Sequence, residues 1–389
     1  TSTVTDAAVS PGPITNLGNS GNLTTASTQS PFDDPEGFKF GEGGDQNIIK
    51  CGSYVGNGLN AGPEINLGWE PQWILFKNSE MTESWAIFDC MRGISTGSDD
   101  YRLLANSNSA DYSSQDYFDL TSTGFKITYG NDLINPDAKK VTYIAIRRAD
   151  GYVGKPPEAG TDVFNIDLGG INAGDPSWVS GFPVDMQFIK DRNGSTYNFF
   201  LSTRLTQAKY LSTPSSGAET ANSVYMHDYN NGWGNYASND ALSITSWMWK
   251  RHAGLDVITY KSDGVAGRQL PHSLGRPPEM LWIKDREHTR SWAVYHKGLN
   301  GGTNPEDYWL TLDTSDAEAS NTNIWHSTAP TATHISLGAS HPVNTNLIHN
   351  MICLAFASVD GISKVGYYDG SDSSQTITTG FQPRFLVIK

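Results

Sequence analysis

Cleaving a polysaccharide requires two carboxylates held at a fixed separation across a cleft, and Asp99-Asp100, Glu306-Asp307 and Asp316 with Glu318 are pairs of that type. Each sits among turn-forming residues, where solvated acidic side chains are ordinary, so none is read as an acid/base pair. His326, His334, His341 and His349 recur every seven or eight residues. Structural zinc favours histidines three to five residues apart, so no metal is expected. The loop Asp369–Ser374 (DGSDSS) carries oxygen ligands of the kind Ca²⁺ takes, without the EF-hand spacing. Glycine-rich phosphate loops and the H-E-x-x-H pattern do not occur. The stretches starting at Asn22 and Asn193 fit the glycosylation sequon, but no secretion signal accompanies them. No catalytic residue and no cofactor is expected.

The stretch with the strongest binding character is YNNGWGNY, from Tyr229 to Tyr236. Rings of Tyr229, Trp233 and Tyr236 offer flat apolar faces to a sugar, and the amides of Asn230 and Asn231 offer hydrogen bonds to its hydroxyls. The competing reading is a hairpin whose rings pack on their own domain. For Trp247 and Trp249, on one strand face with Arg251, and for Trp85 and Trp292, which recur at one repeat position, the expected role is the core of a sandwich.

Elements that position these residues follow from composition and repetition. The chain has 389 residues and a formal net charge of -14, which argues against a nucleic-acid surface, since that needs clustered Lys and Arg. Aromatic residues make up 11% and Gly and Pro are frequent, a mixture that favours strands joined by tight turns over helices. Cys51, Cys90 and Cys353 are odd in number and scattered, giving neither a disulfide framework nor a zinc pattern. No apolar run approaches the length of a membrane-crossing helix.

Four blocks share one pattern: GWEPQWILFK (Gly68–Lys77), GFPVDMQFIK (Gly181–Lys190), GRPPEMLWIK (Gly275–Lys284) and GFQPRFLVIK (Gly380–Lys389). Each opens with Gly, closes with Lys and carries an apolar run of strand-like alternation. Turn dipeptides precede them at Asn57-Gly58, Gly169-Gly170, Asp263-Gly264 and Asp369-Gly370, which suit two-residue hairpins. Closing strands follow at Thr142–Gly151, Ser246–Gly254 and Leu354–Gly361. Repetition at about a hundred residues is the size at which a unit buries its own core.

The expected architecture is therefore all-β: tandem antiparallel β-sandwich repeats of the lectin or jelly-roll kind, behind an extended N-terminal arm. The expected boundaries are an extended or disordered arm over 1–47, repeats over 48–160, 161–254 and 255–361, and the first strands of an incomplete fourth repeat over 362–389. Gly151–Gly160 reads as the clearest linker, and the short junctions elsewhere predict units that abut.

The segment Gly275–Gly338, with LAFASVDGISKVGYYDGS (Leu354–Ser371) and the opening Cys51–Lys77, resembles a repeated domain of virion structural proteins in marine tailed bacteriophages, notably cyanophages. The likeness covers Gly41–Lys389 and brings no catalytic residue with it. The second unit departs most, having Tyr197-Asn198-Phe199 where the others have Ser-Trp. The resemblance implies a tail-fibre-like virion component, with assembly in the host cytoplasm. Its expected partners are other virion proteins, host cell-surface glycans and further copies of the chain, a trimer by analogy with fibres. Nucleic acid and membrane insertion are not expected. A capsid decoration or baseplate protein binding only virion proteins is the alternative, and a glycan-degrading spike the second alternative.

Overall fold

The computed structural model describes residues 48–150, 157–168, 176–192, 198–234 and 244–389. The expected arm over 1–47, the Gly169-Gly170 turn, the Asn193 sequon and Tyr236 lie outside the described residues. The described chain is all-β, with 24 strands. The first eight are β1 (Ile49–Val55), β2 (Glu64–Asn66), β3 (Pro71–Asn78), β4 (Ala86–Asp89), β5 (Leu103–Leu104), β6 (Phe118–Thr121), β7 (Gly124–Ile127) and β8 (Lys140–Arg147). Then come β9 (Phe164–Asp167), β10 (Trp178–Val179), β11 (Met186–Asp191), β12 (Phe200–Thr203), β13 (Lys209–Ser212), β14 (Thr220–Ala221), β15 (Gly232–Trp233) and β16 (Ile244–Trp249). The last are β17 (Leu255–Lys261), β18 (Arg268–Pro271), β19 (Met280–Asp285), β20 (Ala293–His296), β21 (Tyr308–Thr311), β22 (Ala319–Ser320), β23 (His334–Leu337) and β24 (Asn350–Phe356).

Each group of eight makes a large and a small antiparallel sheet in one topology. The large sheets run β1-β8-β3-β4-β5, β9-β16-β11-β12-β13-β14 and β17-β24-β19-β20-β21-β22, and the small ones pair β2-β7-β6, β10-β15 and β18-β23. Two-residue alternation sends every second side chain of the large sheet inward. In the first unit Phe76 meets Phe118 and Phe125 of the small sheet edge-on, with ring centroids 5.6 and 5.4 Å apart. Leu281 and Ile283 face Leu270, Ile335 and Leu337 in the third unit, and Ile189 and Met248 face Trp178 and Trp233 in the second.

The two ends of the repeated block now have a physical cause. Gly68, Gly181, Gly275 and Gly380 all have left-handed φ, between +70° and +89°, where a Cβ costs roughly 1–2 kcal/mol. The closing lysines bind carbonyls: Lys77 donates to Met81 and Glu83, and Lys284 to Asp285 and His288, so each ties down the loop that follows its strand. Asn57-Gly58 and Asp263-Gly264, by contrast, do not form two-residue hairpins. β1 and β2 belong to opposite sheets, as do β17 and β18, so the chain must cross the edge of the sandwich. A buried asparagine holds each crossing: Asn135 accepts from Asn57 N–H and donates to the Leu59 carbonyl, and Asn344 accepts from Asp263 N–H and donates to the Val265 carbonyl.

The outer faces of the large sheets, turned away from the small sheets, carry the expected core tryptophans. Trp247, Trp249 and Trp292 are therefore not in their own sandwich cores. They pack between units, because alternation assigns the inner face to their neighbours Met248 and Ala293. Trp85 is 44% exposed. The terminal segment also differs from expectation: residues 364–389 form no strand. In the other units this block is a central strand between two neighbours, and without them its N–H and C=O groups have no ladder to join. Phe385 instead lies across Trp249 and Phe164 of the second unit, at 5.1 and 5.9 Å between ring centroids. Lys389 donates to the carbonyls of Thr311 and Thr314 in the third unit.

Candidate functional site

Among the described residues of this stretch, 229–234, the expected exposed aromatic platform is missing because Trp233 is turned inward. Trp233 lies on β15 opposite Trp178, fully buried, with the two indoles stacked at 4.6 Å. Its Nε1–H donates to Ser246 Oγ at 2.8 Å, so both its face and its polar edge are used inside the second unit. Asn230 and Asn231 are exposed, and Tyr229 is half-buried. The Asn231 carbonyl accepts from the N–H groups of Ser180 and Gly181, which pins the turn to β10. Trp233 is buried because Trp178, directly opposite it in the ladder, stacks on its ring.

Of the four spaced histidines, only His349 enters a cluster with metal-ligating side chains among the described residues, and its partners are Asp285 and His288. His349 Nδ1 is 2.7 Å from Asp285 Oδ2, His288 Nδ1 is 3.6 Å from Asp285 Oδ1, and the imidazoles stack at 3.8 Å with 16° between planes. These three groups are the donor types zinc takes. Near-parallel rings, however, point their in-plane lone pairs side by side, so joint coordination at about 2 Å requires His288 to leave the stack. Asp285 has a structural task as well, since Oδ1 accepts from Glu287 and His288 N–H groups. Asn78, at the same repeat position, caps its loop identically through Glu80 and Met81.

Two buried polar seams join the units. In the first, Arg251 Nη1 contacts both Glu70 oxygens at 2.8 and 2.9 Å, and Arg148 reaches Glu70 at 3.3 Å and Asp256 at 3.2 Å. Burial disfavours the charge on Arg148, but Glu70 and Asp256 outweigh it and hold the guanidinium protonated. Asp185 binds Arg204 and the Arg251 N–H. Burial raises the Asp185 pKa, yet the two arginines bring it below the ordinary carboxylate value. The second seam surrounds a cavity of about 300 Å³ lined by residues of all three units, among them Gly97, Lys209, Glu219, Arg286 and Asn350. Glu219 pairs with both cations there, at 2.8 Å from Arg286 and 3.0 Å from Lys209, and Glu287 adds a second carboxylate to the lining. With its charges satisfied internally, this cavity reads as a joint.

What remains open is the outer face of the first large sheet. Cys51, Leu75, Trp85, Thr142 and Ile144 line a shallow apolar cavity of about 350 Å³, and Ile49 and Val55 extend it along β1, half-exposed. The ladders assign each a counterpart in the third unit: Cys51 and Ile144 pair as Val257 and Leu354 do, and Leu75 pairs with Ile144 as Trp282 does with Leu354. Those counterparts, with Trp292 in place of Trp85, are buried. They face the outer sheet of the second unit, where Phe188 meets Trp282 at 6.0 Å and Trp292 Nε1–H donates to the Ser212 carbonyl. An apolar surface of this kind is a binding surface by default.

The family model for a domain of unknown function, DUF7483, matches residues 45–149 and 169–389. The chain belongs to the DUF7483 family. No curated protein and no solved structure matches it.

The DUF7483 match takes in both polar seams, the Asp285 cluster and the open sheet face. Sequence reasoning passed over that face, although the signal was present. Aligning the DUF7483 blocks puts Leu75, Phe188 and Trp282 at one position and Trp85 with Trp292 at another. The alternation of β3 sets Ile74 and Phe76 inward, so Leu75 must point out. His288 and Asp285 were missed because sixty-odd residues separate them from His349, and only the pairing of β19 with β24 closes that gap.

Proposed function

We propose that the chain is a bacteriophage virion structural protein that works as a rigid binding module. The supporting observation is the way its three sandwiches are fused. The apolar core of the first unit continues without a break into the facing outer sheets of the second and third, and buried ion pairs cross the unit boundaries at Glu70–Arg251 and Glu219–Arg286. Such junctions suppress hinge motion, since separation would expose unpaired charge. Serial rigid units suit a spacer or docking element of a particle. The apolar sheet face of the first unit favours association with protein over glycan recognition, which relies on exposed rings beside polar groups. A tail-fibre-like adhesin binding host glycans, the first expectation from the sequence resemblance, becomes the second reading. The test is mass spectrometry and immunogold imaging of purified particles of a tailed phage encoding the chain. Stoichiometric labelling of the particle is expected, and absence from washed particles would overturn the reading.

A further inference from the structure

We infer that the outer face of the first unit's large sheet pairs with the same face of a second copy of this chain, about a two-fold axis near Leu75. The argument begins inside one chain. The second and third units meet outer face to outer face, and Phe188 touches Trp282, each the eighth residue of its Gly-to-Lys block. Contact of like position with like position is the mark of a two-fold, isologous interface. The fold therefore already contains one pairing of this kind, and the first unit presents the third copy of the same surface.

Chemistry along that surface is matched position by position. Leu75 stands for Trp282, Ile87 for Val294, Cys51 for Val257 and Ile144 for Leu354, all apolar counterparts, while Ser53 stands for Thr259 and Thr142 for Ile352. Covered, the third-unit members are nearly inaccessible, with Val257 and Leu354 at 0%. Uncovered, Ile144 is 37% and Ile49 50% exposed. Lys77, the basic residue at the rim, donates to its own loop carbonyls, which tethers its charge at the edge of the face. Five strands spaced about 4.8 Å, of 7, 8, 8, 4 and 2 residues at about 3.3 Å each, cover on the order of 450 Å² per copy. Pairing two copies then buries on the order of 1,000 Å², the lower bound of specific association. A self-complementary partner is the only one for which this chain itself supplies the mating surface.

The inference rests on the binding-module reading for its purpose, and its test is independent of phage particles. Sedimentation velocity and light scattering on the full chain from 1 to 100 μM, under reducing conditions, should show a monomer–dimer equilibrium. Cys51 is exposed while Cys90 and Cys353 are not, so its maleimide labelling rate should fall as concentration rises. Ile144→Glu should raise the dimer Kd at least tenfold and restore fast labelling, with an unchanged circular dichroism spectrum. Leu75→Glu serves as the second variant should Ile144→Glu fold poorly. A chain that stays monomeric with Cys51 freely labelled overturns the inference. So does a dimer that survives both substitutions. So does a monomer whose Cys51 becomes reactive only when residues 1–47 are deleted, because the cover is then the chain's own leader. A monomer that still binds particles leaves the functional reading standing, and a dimer absent from particles leaves this inference standing.

Discussion

Arg251 and Glu70 are 181 positions apart in the chain and share two contacts of 2.8 and 2.9 Å in a buried site. That one pair makes the ion network, rather than a linker, the element that sets the first two units relative to each other. Glu70→Gln leaves Arg251 and Arg148 short of an anion in a low-dielectric seam. We expect a loss of about 3–5 kcal/mol, read from urea unfolding. The double variant Glu70→Leu, Arg251→Met removes charge from both sides and should lose less than Glu70→Gln. A smaller loss in the single variant than in the double would contradict the network's role.

Trp233→Ala separates a packing role from a binding one. The indole is enclosed by Trp178, Tyr225 and His227, so truncation should cost about 3–5 kcal/mol. Calorimetry should show a large drop in Tm. An unchanged Tm with weakened glycan binding would return Trp233 to the role its sequence context implied.

Asp285→Asn keeps an oxygen that can accept from Glu287 and His288, as Asn78 does in the first unit. Its cost should stay within about 1 kcal/mol, whereas Asp285→Ala should lose about 1–3 kcal/mol by orphaning those donors and His349. Equal losses from both substitutions would indicate that the carboxylate charge, and not the turn, is what the fold requires at this position.

Buried His227 and half-buried Asp116 tie stability to pH with opposite signs. Burial, assisted by Arg204, pushes His227 from 6.5 down to about 3. The folded state keeps it neutral while the unfolded state protonates, so its contribution is complete above pH 6.5 and falls as pH drops toward 3. Between pH 7 and 5 the wild type should lose about 2 kcal/mol more than His227→Gln loses. Burial, assisted by the charge of Asp119, pushes Asp116 up from 3.8 to about 6. The fold then favours the protonated acid, and stability from this group falls as pH rises from 3.8 through 6. Asp116→Asn should therefore gain relative to wild type at pH 7.5 and lose that advantage at pH 4. Chemical denaturation across this range checks both signs.

Much of the architecture was legible along the chain because its causes are local. Strand alternation, the block glycines with their positive φ, and Lys77 and Lys284 with their neighbouring carbonyls all act within a few residues. The four blocks therefore marked the repeats before any coordinates. The hairpin reading of Asn57-Gly58 and Asp263-Gly264 was wrong for a non-local reason: which sheet the next strand joins depends on the small sheet's pairing. Trp233 was misplaced for the same kind of reason, since its burial follows from Trp178 across a short ladder. The final block shows the limit most clearly. Its sequence is that of a central strand, yet a strand exists only where neighbours supply hydrogen bonds.

By itself, then, the sequence determined the all-β class, the period of the units and which side chains alternate on each strand, because these depend on backbone geometry and turn chemistry close in the chain. Tertiary structure alone decided which of the three outer faces would be covered, which charges would be buried as pairs and which histidines would meet. Those outcomes depend on surfaces brought together from a hundred or more residues away, where desolvation and packing act between partners that no local pattern names.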